Sequence, residues 1–502
     1  MQHRYATFIS ALEGDGVSGL TVRALTCVIG FLAVCADLPA QSDGADPLQI
    51  GSVTVSGSIH ERYEDWDFFR AKGENSYGYS GSLLRLMLSQ NEQSYDWGFE
   101  LAAPILLGIP NHAVQPAPLG QLGLGASYYA ANHNDQYTAS VFVKQAFLRL
   151  KGVHSNVRFG RFEFTDGGEV TPKDETLAIV KRDGISQRLI GTFGFSDVQR
   201  SFDGAQYNYT NGSWNFTAFS AVPDRGVFQV DGWGWVKTPV TYAALTKQAS
   251  FGRSKAEWRI FGIYYNDDRD VIKTDNRSAA ARAKDLSGID IGTFGGHYIQ
   301  AIPTAAGTFD LLGWGALQTG RWGSLTQRSG ASAFEGGVQP KIAKPLRPWL
   351  RGGYFYSSGD NNPNDNVHGT FFAILPTPRV YARFPFFNEM NNRDLFGELM
   401  LRPAKSLTLR SDVHGLWLAN RNDLWYSGGG AFQPWTFGFN GRPSNGFTGL
   451  ATLYDISADY QCTRALALGL YFGYARGGAV VEHIFPGDSN GALGFVEVNY
   501  RF

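Results

Sequence analysis

Arginine residues with carboxylates close by are the side chains of this sequence whose chemistry is easiest to state. Arg200 stands three residues before Asp203. Arg393 is followed directly by Asp394. Because the planar guanidinium pairs with a carboxylate through two parallel hydrogen bonds, a row of such groups suits an anionic ligand. The same residues can instead pair with carboxylates on adjacent strands and hold a polar interior together, and the residues alone leave both interpretations open.

A second candidate for chemistry is an acid–histidine pair. Asp412 and His414 are two residues apart, so on a strand they share one face, and Asp459 is a candidate neighbour. An aspartate that orients a histidine is the arrangement of a general base in a hydrolase. Since no Ser or Cys stands in a matching nucleophile motif, a polar pair in a wet interior is the simpler interpretation, and the chain is not predicted to be an enzyme.

Metal and cofactor motifs are weak. The stretch GDNNPNDN, residues 359–366, groups Asp360 and Asp365 with four asparagines around a proline. Oxygen-rich loops hold Ca²⁺, but the twelve-residue pattern with its closing Glu is missing, and turn-forming Asx residues explain the stretch without a metal. These two aspartates are therefore weak calcium candidates. Phosphate-loop, dinucleotide, HExxH and zinc-type spacings are missing as well, so no cofactor is predicted.

The elements that must position these groups follow a period of two. In the last eleven residues, ALGFVEVNYRF, one parity is apolar or aromatic and the other is mainly polar. Since a strand sends successive side chains to opposite faces, this segment has one apolar face and one polar face. A membrane barrel closes its last strand on its first with the apolar face toward lipid. The final Phe, with Tyr two residues before it, also resembles the terminal signature by which bacterial outer-membrane barrels are recognised for assembly.

The same alternation recurs from Ser52 onward in segments of about ten residues separated by Gly, Asn, Asp and Pro clusters. After the first strands, the predicted strand segments are 141–151, 157–164, 204–209, 214–222, 258–266, 309–318, 349–357, 395–402, 407–418, 452–460 and 465–476. No segment sustains a helical period. We therefore predict an all-β fold, a transmembrane antiparallel up-and-down β-barrel of about 18 strands (range roughly 16–20), as one domain over residues 50–502. A barrel of that size leaves a water-filled lumen unless something plugs it. The long polar connections, expected to be extracellular, are 103–136, 222–255, 267–289, 359–392 and 419–449.

Composition agrees with this prediction. The 502 residues are 18% charged, below the usual content of about 25% in soluble domains, and include 61 Gly. A mean hydropathy of −0.20 excludes a helical membrane protein but not a barrel, because alternation cancels in the mean. The formal net charge of −1 gives no argument for nucleic acid as a partner.

The beginning of the chain predicts an export signal. Residues 25–36, LTCVIGFLAVCA, are apolar, follow a basic residue and precede a small residue suited to cleavage. Twelve residues are too few to span a bilayer. We predict a signal peptide over residues 1–40, with a start codon that is placed too early. Cys27 and Cys35 fall within it, which leaves Cys462 alone and predicts no disulfide.

Most of the chain beyond residue 50 resembles the alginate export family of outer-membrane barrels. The resemblance is most specific in YSSGDNNPNDNVHG, FNEMNNRDLFGELMLRP and LRSDVHGLWLANRNDLWYSGGGAF, and it continues in VRFGRFEFTDGGEV and RLIGTFGFSDVQRSFDGAQY. One departure is Leu453, which stands where an acidic residue is expected two places before Asp455. The resembling segments are 145–150, 157–170, 188–207, 356–377, 387–403, 409–432, 441–460 and the terminal strand.

The resemblance implies a monomeric 18-strand barrel in the bacterial outer membrane whose electropositive lumen passes an acidic polysaccharide outward, downstream of a periplasmic export or synthesis complex. Its other implied partners are outer-membrane lipid and the barrel assembly machinery. The alternative is a general or substrate-specific porin that takes up small acids or sugars, and a barrel-embedded hydrolase is a third hypothesis. The residues expected in the lumen are Arg161, Glu163, Arg188, Arg200 and Asp203, followed in rank by Arg393, Asp394 and Arg442.

Overall fold

A computed structural model of the protein describes residues 47–378, 382–384 and 388–502. The predicted signal peptide lies outside these residues. Eighteen long antiparallel strands form the wall: β1 (Val53–Asp67), β2 (Ser76–Asn91), β3 (Tyr95–Leu107), β4 (Phe142–Lys151), β5 (Ser155–Phe162), β6 (Phe202–Asn211), β7 (Trp214–Pro223), β8 (Val240–Phe251), β9 (Ser254–Asp267), β10 (Ile289–Pro303), β11 (Gly307–Trp322), β12 (Leu325–Pro340), β13 (Trp349–Ser357), β14 (Asn392–Ala404), β15 (Leu407–Leu418), β16 (Gly449–Gln461), β17 (Leu466–Gly477) and β18 (Asn490–Arg501).

Each strand of the wall pairs with the next along the chain, and β18 returns to pair with β1, where Arg62 stands opposite Glu497. Closure leaves no strand edge with unpaired backbone groups. The closed antiparallel barrel of 18 strands that the alternation and the resemblance predicted is thus confirmed.

Alternation separates an apolar outer face from a polar inner face. On β2, Leu84 and Leu86 are 39% and 44% exposed on the outside, whereas Arg85 between them points inward to Glu100. Further along the wall, Leu317 and Phe334 are 71% and 63% exposed on the same outer surface. A belt of exposed apolar side chains of this kind is stable where it contacts the lipid of a membrane.

The two ends of the barrel differ in their connections. At one end the strands are joined by turns of two to eight residues, and this end also holds both chain ends of the barrel domain. At the other end six connections are long, as expected for the extracellular side. These long loops are 108–141, 163–201, 224–239, 268–288, 358–391 and 419–448.

Three strands and one loop differ from the sequence prediction. The segment 222–255 was expected to be a loop but contains β8, and β10 and β12 were missed as well. In β12 the sequence GASAFEGGV offers Gly, Ala and Ser where an alternating pattern needs large apolar residues, so its periodicity is faint. The loop 163–201 was not predicted, because its apolar stretches imitate strands.

The helices and the short strands lie outside the 18 strands of the wall. The helices are α1 (Leu124–Ala131), α2 (Glu175–Gly184), α3 (Ala279–Lys284) and α4 (Ala479–Ile484). Across the described ranges, no helix is long and apolar enough to cross a membrane. The short strands are Leu48–Ile50, Val114–Gln115, Gly120–Gln121, Tyr137–Ala139, Val367–His368, Leu424–Gly428 and Phe439–Pro443.

Two of the long loops fold into the barrel and pair with each other. Ile190 and Leu375 form a parallel bridge. The Leu375 amide donates to the Leu189 carbonyl, and the Gly191 amide donates to the Leu375 carbonyl, both at 2.8 Å. The side chains of Leu189, Ile190 and Leu375 are fully buried. We call the two segments, 185–201 and 370–378, the plug, since they carry an apolar core of their own inside the lumen.

Candidate functional site

On the short-turn side of the plug, the lumen widens into a cavity of about 1490 Å³, which we call the vestibule. Its wall carries nine guanidinium or ammonium groups against five carboxylates, so its fixed charge is positive. The cationic side chains are Arg62, Arg85, Arg182, Arg347, Arg383, Arg402, Lys405, Arg410 and Arg501. The carboxylates are Glu100, Glu175, Asp183, Asp459 and Glu497.

The strands and turns together position this charge. Arg62 on β1, Arg85 on β2 and Arg410 on β15 occupy the inward parity of their strands. Arg347 and Lys405 come from the turns that follow β12 and β14. The vestibule therefore opens at the short-turn end, which in an outer-membrane barrel faces the periplasm.

Arg85 is the centre of one charged network in the vestibule. Its Nε lies 2.7 Å from Oε1 of Glu100, and its Nη2 lies 2.8 Å from Oε1 of Glu163. Its Nη1 donates to the Gln199 side chain at 3.2 Å, which ties the wall to the plug. Fully buried Lys144 stands 4.0 Å from the same Glu163. Glu163 is thus the expected lumen carboxylate that the structure pairs with a vestibule arginine.

Arg62 joins the closing seam of the barrel to the plug. Its Nε lies 2.8 Å from Glu64, and its Nη2 donates to the Phe195 carbonyl at 2.6 Å. Its guanidinium carbon lies 3.9 Å above the Phe195 ring. Asp197 of the plug and Glu497 of β18 lie 3.5 and 3.8 Å from the guanidinium. One buried cation therefore serves three carboxylates at the point where the first and last strands meet.

Replacing Arg62 by methionine is expected to lower the free energy of unfolding by about 3–5 kcal/mol, because it leaves buried carboxylates without their partner. Urea unfolding of the purified barrel in detergent measures this change. Arg476→Met, at an exposed position of β17, is the matched control and is expected to cost little. A similar loss in both variants would contradict the role given to Arg62.

Other cations of the vestibule are weakly paired. The Nη1 of Arg402 is 3.8 Å from Glu175, a long contact. Within the described part of the chain, neither Arg347 nor Lys405 forms an ion pair. Surplus positive charge of this kind remains available to a mobile anion, since no fixed carboxylate neutralises it.

A second cavity, of about 290 Å³, lies on the loop side of the plug. Phe193 belongs to this cavity, whereas Gly194 and Phe195 line the vestibule. Thr377 and Pro378 divide in the same way, with Thr377 on the vestibule side. The plug therefore separates two chambers within the described residues. The aromatic side chains of the loop-side cavity are Phe68, Phe193, Phe228, Trp425, Phe432, Phe437 and Phe439.

Arg442, which was expected in the lumen, lines the loop-side cavity. Its Nε donates to the Leu119 carbonyl at 2.8 Å and its Nη2 to the Gln121 carbonyl at 2.5 Å. Its guanidinium carbon lies 4.6 Å above the Trp425 ring. Burial lowers the pKa of Arg442 to about 10, which leaves it charged at neutral pH. The cavity thus combines one cation with several aromatic faces.

Arg188 and Arg200 belong to the plug and not to barrel strands, which corrects their expected position. Arg200 is fully buried and donates to the carbonyls of Gly191, Leu375 and Gly429 at 2.5–3.0 Å. Burial lowers the pKa of Arg200 to about 10. The Nη1 of Arg188 lies 2.7 Å from the buried carboxylate of Glu389. Both residues fasten the inward loops together instead of facing open lumen.

Arg161 and Asp203 pair with each other, but on the outer side of the wall. Arg161 shares its strand face with Phe159, which is 48% exposed, and stands directly opposite Asp203. Their side chains meet at 2.6–3.1 Å. Trp235 of the loop 224–239 donates to Asp203 at 2.8 Å. Contrary to the prediction, neither residue faces the lumen. Both lie at the rim of the barrel, beyond the apolar band, where outward-facing side chains are polar as well.

Arg393 and Asp394 point to opposite faces of β14. Arg393 shares the outer parity with Leu395, which is 56% exposed, and its Nη2 donates to the Leu418 carbonyl at 3.1 Å. Asp394 points inward and lies 2.9 Å from Nδ1 of His414. Of this neighbouring pair, only Asp394 faces the interior.

Of the remaining candidate groups, Asp459 lies on β16, the strand that pairs with β15, and Asp360 forms a turn of the kind that the sequence predicted. Asp412 stands directly opposite Asp455 on β16 and not opposite Asp459. Asp360 accepts hydrogen bonds from the amides of Asn362 and Gly369 at 2.9 and 3.3 Å. The bond from Asn362, two residues further along the chain, is the local turn that Asx residues form.

Sequence reasoning missed the vestibule arginines. Arg85 lies between Leu84 and Leu86 on its strand. Arg62 lies on the parity opposite to Ile59 and Tyr63. Period two alone could therefore have placed both arginines inward. Arg383 is in a long loop, where no periodicity exists to assign it a face. The period-two alternation that assigns a face was therefore present in the strands and missing in the loops.

The chain resembles known proteins in sequence and in fold. Residues 62–492 match the sequence model of a family described as alginate export. No protein with a curated description matches the sequence. The outer membrane protein OpdK of Pseudomonas aeruginosa has a similar fold, with a TM-score of 0.52 at 9% identity over 89% of this chain and 98% of that chain. OccAB2 of Acinetobacter baumannii gives 0.53 at 8% identity over 90% and 99%. OccAB4 of the same organism gives 0.51 at 10% identity over 91% and 100%.

Proposed function

The chain belongs to the alginate export family and is an integral outer-membrane channel, and we propose that it passes an anionic polysaccharide, or a related acidic sugar, through its basic vestibule. The observation that carries the proposal is the excess of nine cationic side chains over five carboxylates around a cavity of about 1490 Å³. The vestibule opens on the short-turn side, so a polymer that arrives from the periplasm meets positive charge first.

The arrangement of the charge suits passage better than tight binding. A polyuronate carries a carboxylate on every sugar, and each arginine can take such a group bidentately. Arg85 and Arg62 are tempered by nearby carboxylates, whereas Arg347 and Lys405 are not paired within the described residues. Spread charge of mixed strength attracts an anion without trapping it at one site.

The triple variant Arg347→Glu/Arg402→Glu/Lys405→Glu is expected to invert the ion selectivity of the channel from chloride to potassium. These side chains are among the weakly paired cations of the vestibule, and each substitution changes the fixed charge of the wall by two units. The reversal potential in planar bilayers under a KCl gradient measures the effect. Arg253→Glu, in the exposed turn between β8 and β9, is the control and is expected to leave selectivity unchanged.

Two outcomes in the same bilayers would overturn the proposal. One is a wild-type channel that prefers potassium to chloride. The other is current that oligouronates added from the short-turn side fail to block. Block that disappears in the triple variant but persists in Arg253→Glu is the result that the vestibule predicts.

A second candidate is uptake of small acids or sugars. The loop-side cavity favours it, since about 290 Å³ lined with aromatic rings and Arg442 would hold a single acidic ring. Permeation by a monomeric uronic acid, without block by its oligomers, would favour this function over polymer passage.

A further inference from the structure

A buried cluster on the inner wall has the composition of a metal site. We propose that Asp412, His414 and Asp455 bind one divalent transition-metal ion, of which Zn²⁺ is the representative. Asp412 and His414 lie on β15, and Asp455 stands opposite Asp412 on β16. One ligand atom from each of the three residues can be chosen so that all lie within 4.8 Å of one another. The three residues are only 5%, 2% and 5% exposed.

Unsatisfied atoms point to a missing ligand. The Nε2 of His414 and the Oδ2 of Asp455 are both buried and have no hydrogen-bond partner among the residues that the structure describes. An orphaned buried polar atom loses its hydration without compensation, which is why such atoms are rare in native proteins. A cation held between the imidazole nitrogen and the carboxylate oxygen would satisfy both at once.

Neighbouring groups hold these donors in the form that a metal needs. The Nδ1 of His414 lies 2.9 and 3.1 Å from the two carboxylate oxygens of Asp394. That contact places the ring proton on Nδ1 and leaves the Nε2 lone pair free, the carboxylate–histidine–metal arrangement. Tyr471 donates to Oδ1 of Asp455 at 2.5 Å and thereby leaves Oδ2 available.

The charge of the cluster also favours a cation. Asp412 and Asp455 face each other across two strands, and like charges in that position repel. Arg410 donates to Asp412 at 2.9 Å but is shared with Glu398 at 2.8 Å. One nitrogen and two oxygen donors suit Zn²⁺ and its neighbours in the transition series. Ca²⁺ is disfavoured because it takes six or more oxygen ligands.

Zinc binding to the intact barrel tests the proposal. The purified protein in detergent is stripped with a chelator and titrated with Zn²⁺ by calorimetry, and bound zinc is counted by mass spectrometry. About one zinc per barrel is expected. His414→Gln and Asp455→Asn are expected to abolish it, and Asp394→Asn to weaken it by about 10–100-fold through the lost orientation of the ring. Asp459→Asn, on the same strand and face but outside the cluster, is the matched control.

The visible absorption of bound Co²⁺ is a second measurement, and a misfolded protein would not reproduce it. Co²⁺ added to the stripped wild-type barrel is expected to give visible absorption of a low-coordinate site, lost in His414→Gln and kept in Asp459→Asn. The difference in gel mobility between unheated and heated samples verifies that each variant remains a folded barrel. The proposal is overturned if the wild-type protein takes up neither metal, or if His414→Gln binds zinc with unchanged stoichiometry and affinity. Neither result depends on which solute the channel carries.

Discussion

Replacing Arg200 by alanine is expected to release the plug and to raise single-channel conductance several-fold. Arg200 donates to Gly191 and Leu375 of the plug and to Gly429 of the neighbouring loop 419–448. Without the guanidinium, the carbonyls of Gly191 and Gly429 lose this donor, at a cost of about 1–3 kcal/mol for each one left buried. The Leu375 carbonyl keeps the Gly191 amide as a donor. The inward position of the two loops then loses its main polar fastening, and exposure of the carbonyls to water becomes the favoured state.

Planar bilayer recordings of single barrels measure the change. Arg421→Ala removes an exposed arginine from the loop 419–448 and is the control, with conductance expected at the wild-type value. If Arg200→Ala conducts like the wild-type protein, then packing of the apolar plug side chains, and not Arg200, holds the loops inside.

The barrel itself could be predicted because its physics is local. On β18, apolar and polar side chains alternate from Val496 to Arg501, and pairing with β1 needs no information beyond closure. On β12 both faces carry small residues. The alternation of apolar and polar side chains is therefore weak, although the strand is among the longest. Alternation predicts a strand only where large side chains mark one of its faces.

The plug could not be predicted in the same way. Leu189 and Ile190 are as apolar as residues of a membrane strand, but they are buried against Leu375 from a loop almost 200 residues later. Their partner is set by tertiary contact, which leaves no period in the sequence. Arg200 was expected to face the lumen for this reason, whereas its fully buried guanidinium binds carbonyls of three segments.

The face of a charged residue was uncertain for a related reason. Arg161 lies at the rim, where the outer side of the strand meets the loop 224–239 and not lipid. A polar residue on either face is stable there, so its identity says little about its direction. Deeper in the wall, at Arg85, only the inner face tolerates a charge, and alternation assigns it correctly.

Because the plug divides the lumen within the described residues, the proposed passage of a polymer requires the plug to move. The vestibule and the loop-side cavity are separate chambers, with Phe193 and Phe195 on opposite sides of the boundary. A chain of sugars must occupy both chambers at once. The proposed polymer transport therefore requires that the pairing of Ile190 with Leu375, or the position of this pair in the lumen, changes during passage.

A disulfide between positions 190 and 375 is expected to abolish polymer passage while it is oxidised. Bridged residues of neighbouring strands lie about 4.8 Å apart, within the range of roughly 4.4–6.8 Å that a disulfide accepts between Cα atoms. The double variant Ile190→Cys/Leu375→Cys is made with Cys462→Ser, so that the two introduced residues are the only cysteines among the described residues. Uptake of a fluorescent oligouronate by proteoliposomes is expected to fall to the level of empty liposomes and to recover with dithiothreitol.

The two single-cysteine variants separate the lock from the loss of packing. Each removes one buried apolar side chain, as the double variant does, but neither can form the covalent link, so oxidation is expected to leave their uptake unchanged. Uptake that persists in the oxidised double variant, with the disulfide verified by mass spectrometry, would mean that the polymer finds a route past a closed plug. Chloride selectivity measured on the same oxidised protein then distinguishes the two parts of the mechanism, because the vestibule charge is the same whether the plug is locked or free.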